Sequence, residues 1–172
     1  MDQSAEIIKG VASKTVESLA IRTMHGEDRR TYCALFQRIF AQPPWNETWT
    51  LNRIDVEVKK IMSKEGFVGI VAEYESQPVG YLTGYRLPIP PIIPPLYYLD
   101  QLFVDDRYHD LGIGKSLLAK MVCLGNTRRD YGIVLLTKAH SPAERFYLGN
   151  GFKRFPSIIR FNTKVLLYKM LR

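Results

Sequence analysis

Residues 96–122 run from LYYLDQLFV through DDRYHDLG to IGKSLLAKMV, and this junction restricts the fold more than any other stretch. The first nine residues are apolar enough for a central, buried strand. After the glycines, Ile113, Leu117, Leu118, Met121 and Val122 recur at the spacing of one helix face. Gly112 and Gly114 stand at the join. A helix start leaves backbone N–H groups free and carries the positive end of the helix dipole. Glycines let an anion come close to that backbone, so the join suits a phosphate. A tight strand-to-helix turn that binds nothing is the plainer reading of the same residues.

The inner GIGKS invites comparison with the loop of nucleotide hydrolases, G-x-x-x-x-G-K-[ST]. Gly114, Lys115 and Ser116 fill the last three places, but the first glycine falls on His109. The preceding strand also ends near Val104, too early for that loop to turn off it. The dinucleotide pattern G-x-G-x-x-G fails at Leu117. Both readings are disfavoured, and a different phosphate loop remains.

The rest of the chain reads as one domain of 172 residues, with 1–17 as a loose arm or an extra helix. Hydrophobic residues make up 46%, enough for a real core. ESLAIRTM (17–24) reads as a first strand and 27–41 as a helix, with Tyr32, Leu35, Phe36, Ile39 and Phe40 on its inner face. AQPPWNETW (41–49) is a loop, because Pro43 and Pro44 break a helix. Thr50 caps a second helix that turns Leu51, Ile54, Val58, Ile61 and Met62 inward. Residues 66–87 form a hairpin, PIPPIIPP (88–95) is a stiff extended connector or a wall of a site, and 132–137 is a buried strand. Ser141 and Pro142 open a helix that Gly149 or Gly151 ends. The tail suggests two more strands joined near Asn162. This order predicts an α/β fold with a mixed sheet flanked by helices.

The net charge of +7 calls for an anionic partner: nucleic acid, a membrane surface or a phosphate-bearing small ligand. Lys115, Lys120, Arg128, Arg129 and Lys138 are scattered around the glycine loop and serve equally well as a solvated surface. No zinc-finger or aromatic-rich RNA-binding pattern is present. No apolar run reaches the roughly 20 residues of a membrane span, and the first residues lack a signal-peptide layout. Cys33 and Cys123 form neither a metal-ligand nor a disulfide pattern. A reducing cytoplasm fits these features; no metal and no membrane partner are expected.

LDQLFVDDRYHDLGIGKSLL followed by PAERFYLGNGF resembles the GNAT superfamily of acetyl-CoA-dependent N-acetyltransferases. FAQPPWNETW resembles a segment of a bacterial subgroup of that family. HDLGIG matches the family loop [QR]-x-x-G-x-[GA] except at His109, and Ala143, Tyr147, Gly151 and Phe152 match its later signature. The resemblance implies a mostly antiparallel mixed sheet of about seven strands, with central strands splayed into an acyl-CoA cleft. It implies that the amides around Leu111, Gly112, Ile113, Gly114 and Lys115 hold the pyrophosphate of acetyl-CoA, with His109 and Asp110 also in the cofactor site. The pantetheine arm would lie along Leu102, Phe103 and Val104, which needs strand 132–137 to splay away, often after a bulge.

The implied reaction is acetyl transfer to the primary amine of a small molecule or peptide, by direct attack in a ternary complex. The Leu102 N–H would steady the oxyanion, and Tyr147 would serve the departing thiolate. Packed on the core, Tyr147 would instead be a plain helix residue. The family's acidic strand position holds Gln101, which leaves the base to Asp100, Glu47 or a water chain. Alternation of side chains would turn Asp100 away from Gln101's face, and either carboxylate would serve as a solvated or capping group. Trp45, Trp49, Tyr85 and Tyr97 or Tyr98 are candidates for the acceptor pocket, or for core packing. Glu47 beside two tryptophans leans toward a cationic amine. The rival readings are an acyl-CoA-binding module without catalysis and a basic nucleic-acid-binding domain. A homodimer is left open.

Overall fold

The computed structural model describes residues 19–87, 95–155 and 164–171. The expectations for residues 1–17, the proline block over 88–94 and a strand over 157–161 lie outside these residues. The described chain forms a seven-stranded sheet in the order β1-β2-β3-β4-β5-β7-β6. The strands are β1 (Leu19–Thr23), β2 (Val68–Tyr74), β3 (Gln77–Arg86), β4 (Leu96–Val104), β5 (Gly132–Lys138), β6 (Lys153–Arg154) and β7 (Lys164–Met170). Neighbours are antiparallel except β4 and β5, which run parallel. The described helices of at least two turns are α1 (Arg29–Phe40), α2 (Leu51–Met62), α3 (Ile113–Thr127) and α4 (Pro142–Gly149). None of them is long and apolar enough to cross a membrane.

Two apolar layers cover the sheet. On one face Tyr32, Phe36 and Ile39 of α1 and Ile54 and Val58 of α2 pack on Val71, Tyr81 and Phe103. On the other, Ile113, Leu117, Leu118 and Met121 of α3 and Tyr147 of α4 pack on Leu82, Leu99, Leu135 and Leu167. The α3 stripe matches its sequence spacing. The α2 stripe is shorter than expected, because Leu51 is 50% exposed and the first turn stands off the sheet. The Thr50 hydroxyl caps that turn by accepting from the Arg53 N–H. Likewise Ser141 Oγ accepts from the Glu144 N–H, with Pro142 at the first helical position of α4.

Two irregularities matter for function. First, β4 and β5 share partners only at Leu96–Gly132, Tyr97–Ile133 and Tyr98–Val134. Beyond Tyr98 the strands part, as the resemblance implied. Second, β4 bulges against β3: Thr83 faces Gln101 and Gly84 faces Leu99, so Asp100 is the extra residue. The bulge fits tightly, since a Cβ on Gly84 would lie 2.6 Å from the Tyr98 carbonyl oxygen. It sits where the gap between the strands begins.

Candidate active site

The glycine loop closes one end of the gap. Asp105, buried just past β4, accepts from the backbone N–H and guanidinium of Arg107 and from Arg38 of α1. Its own N–H donates to the Val79 carbonyl, which ties the loop's root to β3. Gly112 then turns into α3 with φ +72°, a conformation that suits glycine, and a Cβ there would meet open space. The first helical bond runs from the Ser116 N–H to the Gly112 carbonyl. The N–H groups of Ile113, Gly114 and Lys115 therefore have no earlier carbonyl in the helix to bond. Free amides, a positive dipole end and an unfilled space above Gly112 form a cradle for an anion. Lys115 and Leu111 are exposed at its rim. His109 turns back from this cradle: its Nε2 lies 3.2 Å from the Val104 carbonyl oxygen and 3.3 Å from Asp106 Oδ1. Asp110 takes a positive φ of 62° and is exposed.

Side chains gather at the other end of the gap. The bulge delivers the half-buried Asp100 to the α1/α2 face, where its charge bears on Tyr32 of α1 and on Tyr98. Burial pushes its carboxyl above the usual aspartate range, and the ammonium of Lys64 pulls it partly back. Tyr98 is raised by burial first, then by Asp100 and Tyr85. Tyr147 is 7% exposed, with its ring 5.5 Å from Phe152 and 5.2 Å from Phe146. Burial raises its hydroxyl well above the ordinary tyrosine value, and Tyr98 adds to the shift. Tyr147 belongs to the α3/α4 layer and Tyr98 follows Tyr85 on the opposite face, so their coupling runs across the gap. Leu102 and Val104, half-buried, line β4 where β5 has left it.

The expected acceptor residues divide. The Tyr85 and Tyr98 rings meet at a tilt of 51° with centroids 5.5 Å apart, beside Asp100. Tyr97 is 3% exposed under α3, and its hydroxyl accepts from Arg128, so it serves the core there. Trp45, 43% exposed, leans on Phe40 of α1, and Phe40 in turn lies beside Phe103 of β4. Trp49 packs on Phe36 and donates from Nε1 to Glu47 at 2.6 Å. Glu47 is thus engaged within its own loop, while Asp100 stands on the α1/α2 face where the gap begins. The sequence reading missed Lys64, which stands 3.6 Å above the Tyr85 ring. Neither periodicity nor motif marks it, since it follows the last turn of α2.

The comparisons with known proteins agree with this fold. No curated protein matches the chain. An acetyltransferase of the GNAT family from Streptococcus pneumoniae superposes with a TM-score of 0.70 at 16% identity, over 90% of this chain and 99% of that one. The PaiA N-acetyltransferase of Thermoplasma acidophilum, solved in complex with coenzyme A, gives 0.68 at 19%, over 89% and 99%. A ribosomal-protein-alanine N-acetyltransferase of Brucella melitensis gives 0.70 at 20%, over 88% and 99%. These likenesses establish the fold. Residues 65–154, which hold the bulge, the gap, the glycine loop and α4, match the family model described as an acetyltransferase (GNAT) domain. The chain belongs to the GNAT acetyltransferase family.

Proposed function

We propose that the protein transfers the acetyl group of acetyl-CoA to a primary amine by direct attack within a ternary complex. The observation that carries this reading is the gap itself, with an anion cradle at one end and a raised carboxyl and a raised tyrosine at the other. The amides of Leu111 to Lys115 would take the pyrophosphate. The edge of β4 at Leu102 and Val104 would pair with the extended pantetheine arm as a strand would. Coenzyme A in the Thermoplasma relative supports the choice of ligand.

The chemistry needs a neutral amine, a steadied oxyanion and a protonated leaving thiolate. Asp100 is the group suited to take the amine's proton, because its raised carboxyl binds a proton more tightly than an ordinary aspartate. The Leu102 N–H would face the developing oxyanion. Tyr147, protonated throughout the working range, would donate to the sulfur. His109 would have to leave the Val104 carbonyl before that group could pair with the arm. The test is calorimetric titration with acetyl-CoA, with Mg-ATP in parallel, followed by thiol release on adding amines. Binding of acetyl-CoA alone, with amine-dependent thiol release, is expected. ATP binding without acetyl-CoA would overturn the reading.

A further inference from the structure

We propose that the acceptor is an amine that also carries an anionic group, and that Lys64 is the residue that selects it. The inference rests on the transferase reading above and names its substrate class. At the α1/α2-face mouth of the gap, two tyrosine rings 5.5 Å apart, Tyr85 and Tyr98, flank one carboxylate and one ammonium. The carboxylate is Asp100. The ammonium is Lys64, held 3.6 Å above the Tyr85 ring. A molecule with charges of both signs complements this pair. Its amine goes to Asp100, which takes the proton, and its anionic group goes to Lys64.

A purely cationic acceptor meets the opposite situation. Aromatic faces and carboxylates are what recognise an ammonium ion, and two of the nearby rings and one nearby carboxylate are already engaged. Lys64 covers Tyr85, and Arg53 stands 4.4 Å over Trp49. Glu47, the carboxylate nearest the two tryptophans in sequence, accepts from the Trp49 indole N–H. A polyamine would bring a second ammonium against Lys64, whose own ammonium already covers the Tyr85 ring. The net charge of +7 acts in the same direction on approach.

The experiment compares kcat/KM by thiol release for glycine and O-phosphoethanolamine, which carry an anionic group, with ethanolamine and spermidine, which do not. The carboxylate and phosphate arms separate the two kinds of anion. Wild type is expected to prefer the anionic amines by a factor of about five, the upper end for an exposed ion pair. Lys64→Gln should flatten the preference and Lys64→Glu should reverse it. Lys60→Glu, the same charge change on α2 beside Glu57, should keep it. Preference for spermidine, or a preference untouched by Lys64→Glu, overturns the inference and leaves the transferase reading standing. Turnover of no amine overturns the inference, and acetyl-CoA titration of the same sample then decides whether the transferase reading falls with it.

Discussion

Tyr98 and Val134 are the last pair of backbone partners that β4 and β5 share. The next residue but one on β4 is Gln101's neighbour Asp100, displaced by the bulge. The end of pairing and the delivery of the carboxyl are therefore one local event in β4. Changes at this point should alter chemistry and stability together.

Asp100→Asn should remove transferase activity and stabilise the fold at neutral pH. The carboxyl is raised in the folded state, so its ionisation opposes folding once the pH exceeds the ordinary aspartate value of about 3.9. That cost is absent at lower pH and is complete above the raised value. Thermal melts at about pH 7 should place Asp100→Asn above wild type, with the two converging toward about pH 4. A melt no higher than wild type at neutral pH would falsify the burial argument.

The acid limb of the pH–rate profile should follow the same carboxyl. Rate falls as the pH drops through its raised value, because only the carboxylate accepts a proton. Lys64 pulls that value down, so Lys64→Gln should move the limb to higher pH. The profile of kcat/KM checks this, and an unmoved limb would assign the base to another group.

Tyr147→Phe keeps the ring contacts with Phe146 and Phe152 and deletes the hydroxyl. Acetyl-CoA affinity should hold, while kcat falls about a hundredfold, the lower range for a positioned acid. Titration and single-turnover rates on the same preparation separate the two effects. Full turnover would show that acid assistance to the thiolate is not limiting.

At Gly112 two substitutions should differ. Gly112→Ala meets no neighbour, yet its φ of +72° should cost about 1 kcal/mol in stability. Gly112→Glu adds a carboxylate at the rim of the anion cradle and should weaken acetyl-CoA binding more than tenfold, about 1.4 kcal/mol. Calorimetry reads both, with a melt to record the strain.

Glu144, 1% exposed, accepts from the His140 N–H at 2.7 Å and from Arg154 Nε at 2.8 Å. Arg154 first, and then the His140 amide, hold its carboxyl below the usual glutamate value. Its contribution to stability is present above the unfolded value of about 4.3 and is lost as the pH falls through the lowered one. Glu144→Gln should therefore melt below wild type at about pH 7 and match it in strong acid. Because Glu144 anchors the start of α4, kcat should fall with it through Tyr147.

Much of this was legible in the sequence for a physical reason. The α3 stripe and the glycine join depend on local periodicity and local φ, which neighbouring residues set. The position of Asp100 was not legible, because alternation assumes an unbroken strand and the bulge changes the count. Tyr97 and Tyr98 precede the bulge and alternate in the ordinary way, Tyr97 into the α3 layer and Tyr98 beside Tyr85. Leu51 fails because a helical stripe read from sequence runs on past the point where the helix leaves the sheet. Lys64 meets Tyr85 through the arrangement of α2 against β3, which no local pattern encodes. Glu47 beside two tryptophans suggested a cationic acceptor; that its carboxylate accepts from the Trp49 indole N–H is a tertiary detail that sequence proximity does not give.

An unpaired strand edge at the rim of a sheet is an open invitation to any passing strand. The parting of β4 from β5 creates two such edges, but it buries them in the middle of the sheet. A second folded chain would have to part the sheet to reach them, whereas the single extended arm proposed above would not. The strand order thus sets a width of about one strand for whatever would pair there, before any side chain takes part.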